Sequence, residues 1–440
     1  MISSRPTKVR QWIATWVAIL TAAATLLIPG SSVAAAEPGD MVLEWNTNAI
    51  LTIGNAPAAT PAGLGHVPPL APIELAMVHG AIYDAVNAID GSRDPYIDGL
   101  SAPASASKAA ATARAARDVL LGLVASTPAP VVTSIEAMYA ASLARIPDAG
   151  EAEGIAVGAA AATAMLANRV GDGRTGTHTF ATGTDAGEWR VVPPGNTNLF
   201  AYVAFVRPFT LKSYNQLVTE GPPALDSELY TAEFNEVKAL GAQTGSSRTP
   251  EQTSLANFVI GNPFVFMNKG LRDLATARGL STADQARLFV MTSMASADAF
   301  IACWYNKDKY LFWRPQTAIR EAAEDGNPAT VADPNWFSLF PTPGYPDEPS
   351  GYNCTTAATW HAAKAFFGTD RVSFSLTSPG TGAPGAAQTR HYIRFTDVVD
   401  DTIDGRIYTG FHFRFADVHG AWIGKKSAQW GAKHFFGPVN

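Results

Sequence analysis

Cysteine is nearly missing from this chain: Cys303 and Cys354 are the only two in 440 residues. Two thiols exclude a disulfide-stapled scaffold and a thiolate-rich metal cluster. They leave one bridge or two buried free thiols as alternatives. Charge is scarce as well, with Asp, Glu, Lys and Arg at 16% and a formal net charge of -6. Beside 47% hydrophobic residues, so little charge excludes a disordered chain. The acidic balance excludes a broad nucleic-acid-binding surface, so functional cations must be concentrated at one spot. Internal repeats are missing, and no strand-period segment is long enough to build a sheet.

What is present begins with a targeting pattern. Arg5, Lys8 and Arg10 precede an apolar run from Trp12 to Pro29, and Ala34, Ala35 and Ala36 fit a small-residue cleavage site before Glu37. This predicts a signal peptide over residues 1–36 and an exported protein, secreted or periplasmic/extracellular, with one domain over 37–440. No later stretch reads as a membrane span.

The rest of the chain is helical in period. Residues 37–72 read as an irregular lead-in with a short extended piece at Val42–Trp45. Ile73–Ile89 predicts a helix, with His79 and Asp84 in it as core hydrogen-bonding groups. Further helices are expected over 108–126, 133–146, 151–170 and 227–242. Residues 171–225 lose all period and read as a long surface excursion, of the kind that is functional or a lid. Thr249–Gln252 and Thr282–Gln285 are capping-box patterns. The second opens a long helix through Met291, Met294 and Phe300 toward Lys307, which Arg314 and Pro315 end. After proline-rich residues 321–350, helices are expected over 353–367, with Gly368 as C-cap, then 391–403 and 412–436, the last two divided by Gly405 and Gly410. Residues 373–385 read as a loop. The fold class is all-α, a multi-helix bundle.

Three separated segments carry the chemistry. In KDKYLFWRP, Lys307 and Arg314 fall two turns apart on one helical face. PSGYN supplies Ser350 and Gly351 at a helix start, and GRIYTGFHF supplies Arg406 and His412. An oxyanion with several charged oxygens calls for fixed cations giving charge-assisted hydrogen bonds. A hydroxyl and a backbone N–H at a helix N-terminus suit the same ligand. One imidazole can then bond the central atom, as ligand or nucleophile.

K-x6-RP, PSG-x and R-x5-H, in this order, resemble the signature motifs of the vanadium-dependent haloperoxidases and the related type 2 phosphatidic-acid and bacterial acid phosphatases. AMVHGAIYDAVNAI, EFNEVKALGA, SSRTPEQT, FWRPQTAI and GFHFRFA are similar to the bacterial haloperoxidase-like branch, so the likeness covers most of residues 70–437. The resemblance implies a helical-bundle domain over 37–440 that binds vanadate, with phosphate as a competing oxyanion. Lys307, Arg314 and Arg406 would neutralise its oxygens, Ser350 and the Gly351 amide would donate hydrogen bonds, and His412 would be the metal ligand. It implies hydrogen peroxide and halide as substrates. The alternatives are a phosphomonoester cleaved through phospho-His412, or a catalytically weakened oxyanion-binding protein. Two positions depart from the family pattern. Tyr352 stands where an acid–base histidine is usual, and Gly405 where a serine usually precedes the arginine. With an ordinary pKa near ~10, a tyrosine hydroxyl can donate but is a poor base. Tyr352 is expected to face the pocket mouth and hydrogen-bond an oxygen of the anion.

Overall fold

The computed structural model describes residues 40–55, 70–124, 129–147, 149–192, 198, 200–383 and 385–439. The expected signal peptide lies outside them. Residues 38–440 form one compact unit.

The helices are α1 (Met41–Asn55), α2 (Ala71–Asp90), α3 (Lys108–Leu123), α4 (Ala129–Leu143), α5 (Glu151–Asn168), α6 (Glu228–Gly241), α7 (Pro250–Val259), α8 (Pro263–Ala277), α9 (Thr282–Tyr310), α10 (Pro315–Glu321), α11 (Gly351–Phe367), α12 (Phe395–Tyr408) and α13 (Arg414–His434). Between α11 and α12 lies an antiparallel hairpin of β1 (Arg371–Ser378) and β2 (Gln388–Arg394). The all-α class holds, with that hairpin as its one β excursion among the described residues.

α9 is the axis of the bundle. Ser281, rather than Thr282, caps it by accepting from the Asp284 amide. Met291, Met294, Phe300 and Trp304 are all buried along its length, each contributing roughly 1.5–3 kcal/mol of burial. α2, α11 and α13 pack around it, and α11 packs closely on α13. The helix is long and apolar enough to cross a membrane, against the sequence expectation, but 94% of its most apolar window is buried within the protein. Its apolar length is used by the core. It ends at Leu311, whose left-handed conformation (φ 45°) lets its N–H return to Lys307 O.

Several local expectations are corrected. Met41–Asn55 is a helix, not a lead-in with an extended piece, and it buries Met41, Val42, Trp45 and Ile53. Residues 388–394 are strand, so His391 belongs to β2 and α12 starts at Phe395. Gly405 does not divide helices. It lies inside α12, where a Cβ would sit 2.7 Å from a Val259 methyl, so glycine lets α7 approach. Gly410 (φ 77°) makes the turn instead. The Thr249 capping box is present as expected. His79 contacts Asn46 Nδ2 at 2.9 Å, and Asp84 accepts from the Tyr96 and Ile97 amides, both as core groups. The 171–225 excursion is tied to α9: buried Asp298 accepts from the Phe209, Thr210 and Leu211 amides, and Asn306 from the Thr219 amide.

Candidate functional site

The site lies where the C-terminal end of α9, the start of α11 and the α12–α13 turn meet. Phe300, Tyr345, Gly351, Tyr352, Arg406, Phe411 and His412 line a cavity of about 360 Å³, together with the 260–263 turn and Pro343. Lys307, Arg314 and Ser350 do not line it and are fully buried.

Arg314 is the N-cap residue of α10. Its Nε donates to Tyr345 O at 2.8 Å and its Nη1 to Phe411 O at 2.9 Å. The same Nη1 lies 3.2 Å from His412 Nε2 and 3.3 Å from Nδ1. Near-equal distances mean that the guanidinium lies across the imidazole rather than donating to one nitrogen. Lys307 Nζ donates to Pro346 O (2.6 Å) and Asp347 O (3.0 Å), leaving one of its three N–H bonds. Burial brings Lys307 down to about 8, so it stays cationic at neutral pH. Ser350 is the N-cap residue of α11 without a side-chain cap bond; its hydroxyl oxygen accepts from Asn353 Nδ2 at 3.3 Å. At Gly351 a Cβ would sit 2.7 Å from the Trp304 ring, so only glycine lets the helix start reach the cavity floor.

Arg406 projects from α12, with Cζ 4.7 Å from the centroids of both Tyr352 and Phe411. Its Nη1 reaches Val259 O at a long 3.4 Å. Tyr352 departs from expectation. Its ring lines the cavity, but its hydroxyl donates to Gly261 O at 2.9 Å, not toward the place of a bound anion. Burial moves its pKa further upward, so it is neither base nor free donor.

Asp347 is the residue that the motifs did not signal. It is fully buried, and its Oδ1 is 2.7 Å from His412 Nδ1 and 3.5 Å from Arg314 Nη1. Burial pushes Asp347 up to about 8 against the pull of Arg314 and Lys307. Burial and the three cations push His412 well below its ordinary value. The Asp347–His412 contact joins a neutral imidazole, through its Nδ1–H, to the carboxyl oxygen at 2.7 Å. Among the described residues, Asp347 is the one carboxyl within ion-pair reach of the three cations, 3.5 Å from Arg314. Nothing in PSG-x or R-x5-H points to Asp347, because it sits in a proline-rich loop without period.

Cys303 and Cys354 are free and buried. They are neighbours, and the Cys303 thiol donates to Pro349 O at 3.4 Å. His361, nine residues beyond Tyr352, is half-buried and does not line the cavity. Burial, with Lys364 and Lys425 nearby, lowers it to about 4 from 6.5. The unfolded chain takes up this proton near 6.5 and the folded chain only near 4. Its contribution to stability is therefore complete above 6.5 and is lost as pH falls toward 4. His361→Gln is expected to lose less melting temperature than the parent between pH 6.5 and 4. Parallel melting curves across that range would contradict this assignment.

The residues fit a compact oxyanion on an observation independent of any bound group. Among the described residues, Arg314 Nη2 and Arg406 Nε are buried donors without a protein partner, and orphaned charged donors are costly unless a ligand meets them.

Residues 287–440 match the VCPO second helical-bundle domain. The chain is 26% identical over 299 residues to vanadium chloroperoxidase of Curvularia inaequalis, a match covering 51% of this chain and 48% of that protein. The chain thus spans about half the length of that relative. The fold is similar to a bacterial vanadium-dependent iodoperoxidase (TM-score 0.72, 21% identity, 92% of this chain and 97% of that one). It is also similar to a holo-type bacterial vanadium-dependent chloroperoxidase (TM-score 0.69, 16% identity, 89% and 96%). With the motif residues placed in and behind one cavity, residues 287–440 match the second helical-bundle domain of that family and the chain shares the fold of the bacterial vanadium-dependent haloperoxidases.

Proposed function

We propose that this chain is an exported, vanadate-dependent haloperoxidase-like enzyme that uses hydrogen peroxide to oxidise halide. The observation that carries this reading is the pair of unpartnered buried guanidinium donors, on Arg314 in contact with His412 and on Arg406 in the same cavity wall as His412. Vanadate, when bound, would supply the Lewis acidity that activates peroxide toward halide. Arg314, Arg406 and the remaining N–H of Lys307 would hold its oxygens by charge-assisted hydrogen bonds, joined by Ser350 and the Gly351 amide. His412 presents Nε2 as its ligating nitrogen, because Nδ1 faces Asp347. A partner at Nδ1 fixes ring orientation and tautomer, as second-sphere carboxylates do for metal-bound imidazoles. The apolar part of the wall (Phe300, Phe411, Pro343) lowers the local dielectric, so each charge contact acts more strongly.

Phosphoester cleavage through His412 is the second reading. It requires a group to protonate the leaving alkoxide, and the Tyr352 proton is committed to Gly261 O. That observation favours the peroxidase reading. The discriminating experiment incubates the chain with vanadate and assays bromide-dependent halogenation with peroxide, beside phosphate release from a phosphomonoester without vanadate. Halogenation without appreciable phosphate release is expected. Phosphate release alone would transfer the assignment to the phosphatase reading. Vanadate binding with neither activity would leave an oxyanion-binding protein.

A further inference from the structure

We infer that Tyr352 is a positioning residue that fixes Arg406 as a pre-set cation. The inference rests on the oxyanion reading of the cavity. Tyr352 is pinned at both ends. Its backbone is the second residue of α11, and its hydroxyl donates to Gly261 O in the turn between α7 and α8. A ring held in this way cannot swing, and it presents its face to the Arg406 guanidinium at 4.7 Å. Phe411 flanks the same guanidinium at 4.7 Å. Val259, which ends α7 beside that turn, takes the Nη1 proton at 3.4 Å. Hydroxyl, ring and carbonyl thus all refer Arg406 to one short piece of backbone, residues 259–261.

The arrangement leaves Arg406 Nε unpartnered and buried in the cavity wall. An arginine has many rotamers, and an anion that must first order one binds more weakly. Stacking against two rings restricts the guanidinium before the anion arrives and leaves its donors free. Histidine at position 352 would be shorter, would not carry a phenolic hydroxyl to Gly261, and when protonated would repel the arginine. The tyrosine is therefore suited to holding charge in place, not to moving protons.

The test is a double-mutant cycle on orthovanadate affinity, measured by calorimetry on the full chain. The variants are Tyr352→Phe, Tyr352→Leu, Arg406→Gln and the Tyr352→Leu/Arg406→Gln double, each checked for a native melting transition. Tyr352→Leu should weaken binding about tenfold, and Tyr352→Phe, which keeps the ring, about threefold or less. In the Arg406→Gln background, Tyr352→Leu should add less than about twofold, because its effect passes through the missing arginine. A merely structural role would weaken binding equally in both backgrounds. Additive losses, or an unchanged affinity in Tyr352→Leu, overturn the inference while leaving the oxyanion site standing. A parent chain that binds no vanadate overturns both.

Discussion

Replacing His412 by alanine is expected to abolish vanadate-dependent bromide oxidation, with a loss of at least about 10²–10³-fold, and to weaken vanadate binding by about tenfold or more. The expectation follows from position. Among the imidazoles of the described residues, His412 is the one that lines the cavity. Its Nδ1 is engaged by Asp347, leaving Nε2 as the nitrogen for a ligand. Arg406 is a cation and Asn262 offers only an amide nitrogen without a free lone pair, so His412 is the lining side chain with a neutral ligating nitrogen. The fold should survive, because His412 sits in the α12–α13 turn and its removal breaks no helix. Asp347→Asn is the informative companion. Its amide can donate to Nδ1 and so favour the tautomer that protonates Nε2. A loss of affinity in that variant, without a fall in melting temperature, would show that His412 acts through the tautomer that Asp347 sets. If His412→Ala retains halogenation, the roles of His412 and Asp347 both fail.

The largest stability effect is expected at Arg314. Arg314→Leu should destabilise the chain by about 3–5 kcal/mol, the usual cost of breaking a buried charged pair. Its guanidinium is fully buried and ties the loop before α11 and the α12–α13 turn to the start of α10, through Tyr345 O, the Asp347 carboxyl and Phe411 O. The substitution orphans two buried carbonyls and leaves Asp347 beside an apolar side chain. Arg406→Gln offers the contrast. Its one protein hydrogen bond is long, at 3.4 Å, so stability should change by less than about 1 kcal/mol while anion affinity falls. Urea titrations of both variants measure the difference. Equal destabilisation would mean that the two arginines are not divided between scaffold and anion as described.

The parts of the site legible in sequence were those whose chemistry needs a fixed spacing along a helix or across a short turn. Lys307 and Arg314 bracket the end of α9, and Ser350 and Gly351 open α11. Arg406 and His412 span the end of α12 and the turn at Gly410. Asp347 and the direction of the Tyr352 hydroxyl were not legible, for one reason. Both depend on contacts between distant segments, Asp347 with the α12–α13 turn and Tyr352 with Gly261. Elements failed to show where local composition opposed the final packing. The β1–β2 hairpin is rich in Ser and Thr and surrounds a Gly/Pro loop, and it gains its order by packing Val372, Leu376 and Tyr392 inward. α1 is flanked by Pro/Gly-containing stretches that hide its period, and it is held by burial of Trp45. Gly405 looked like a helix breaker because its reason, the approach of Val259, lies nearly 150 residues away.

The central claim is that His412 and the buried cations form one oxyanion site. Vanadium-51 NMR titration of the chain, repeated with phosphate present and with His412→Ala, tests it most directly. The prediction is a bound signal that saturates at about one vanadate per chain, shifts to higher vanadate concentration as phosphate is added, and is strongly weakened in His412→Ala. A bound signal indifferent to both phosphate and the His412 substitution, or no bound signal at all, would contradict it.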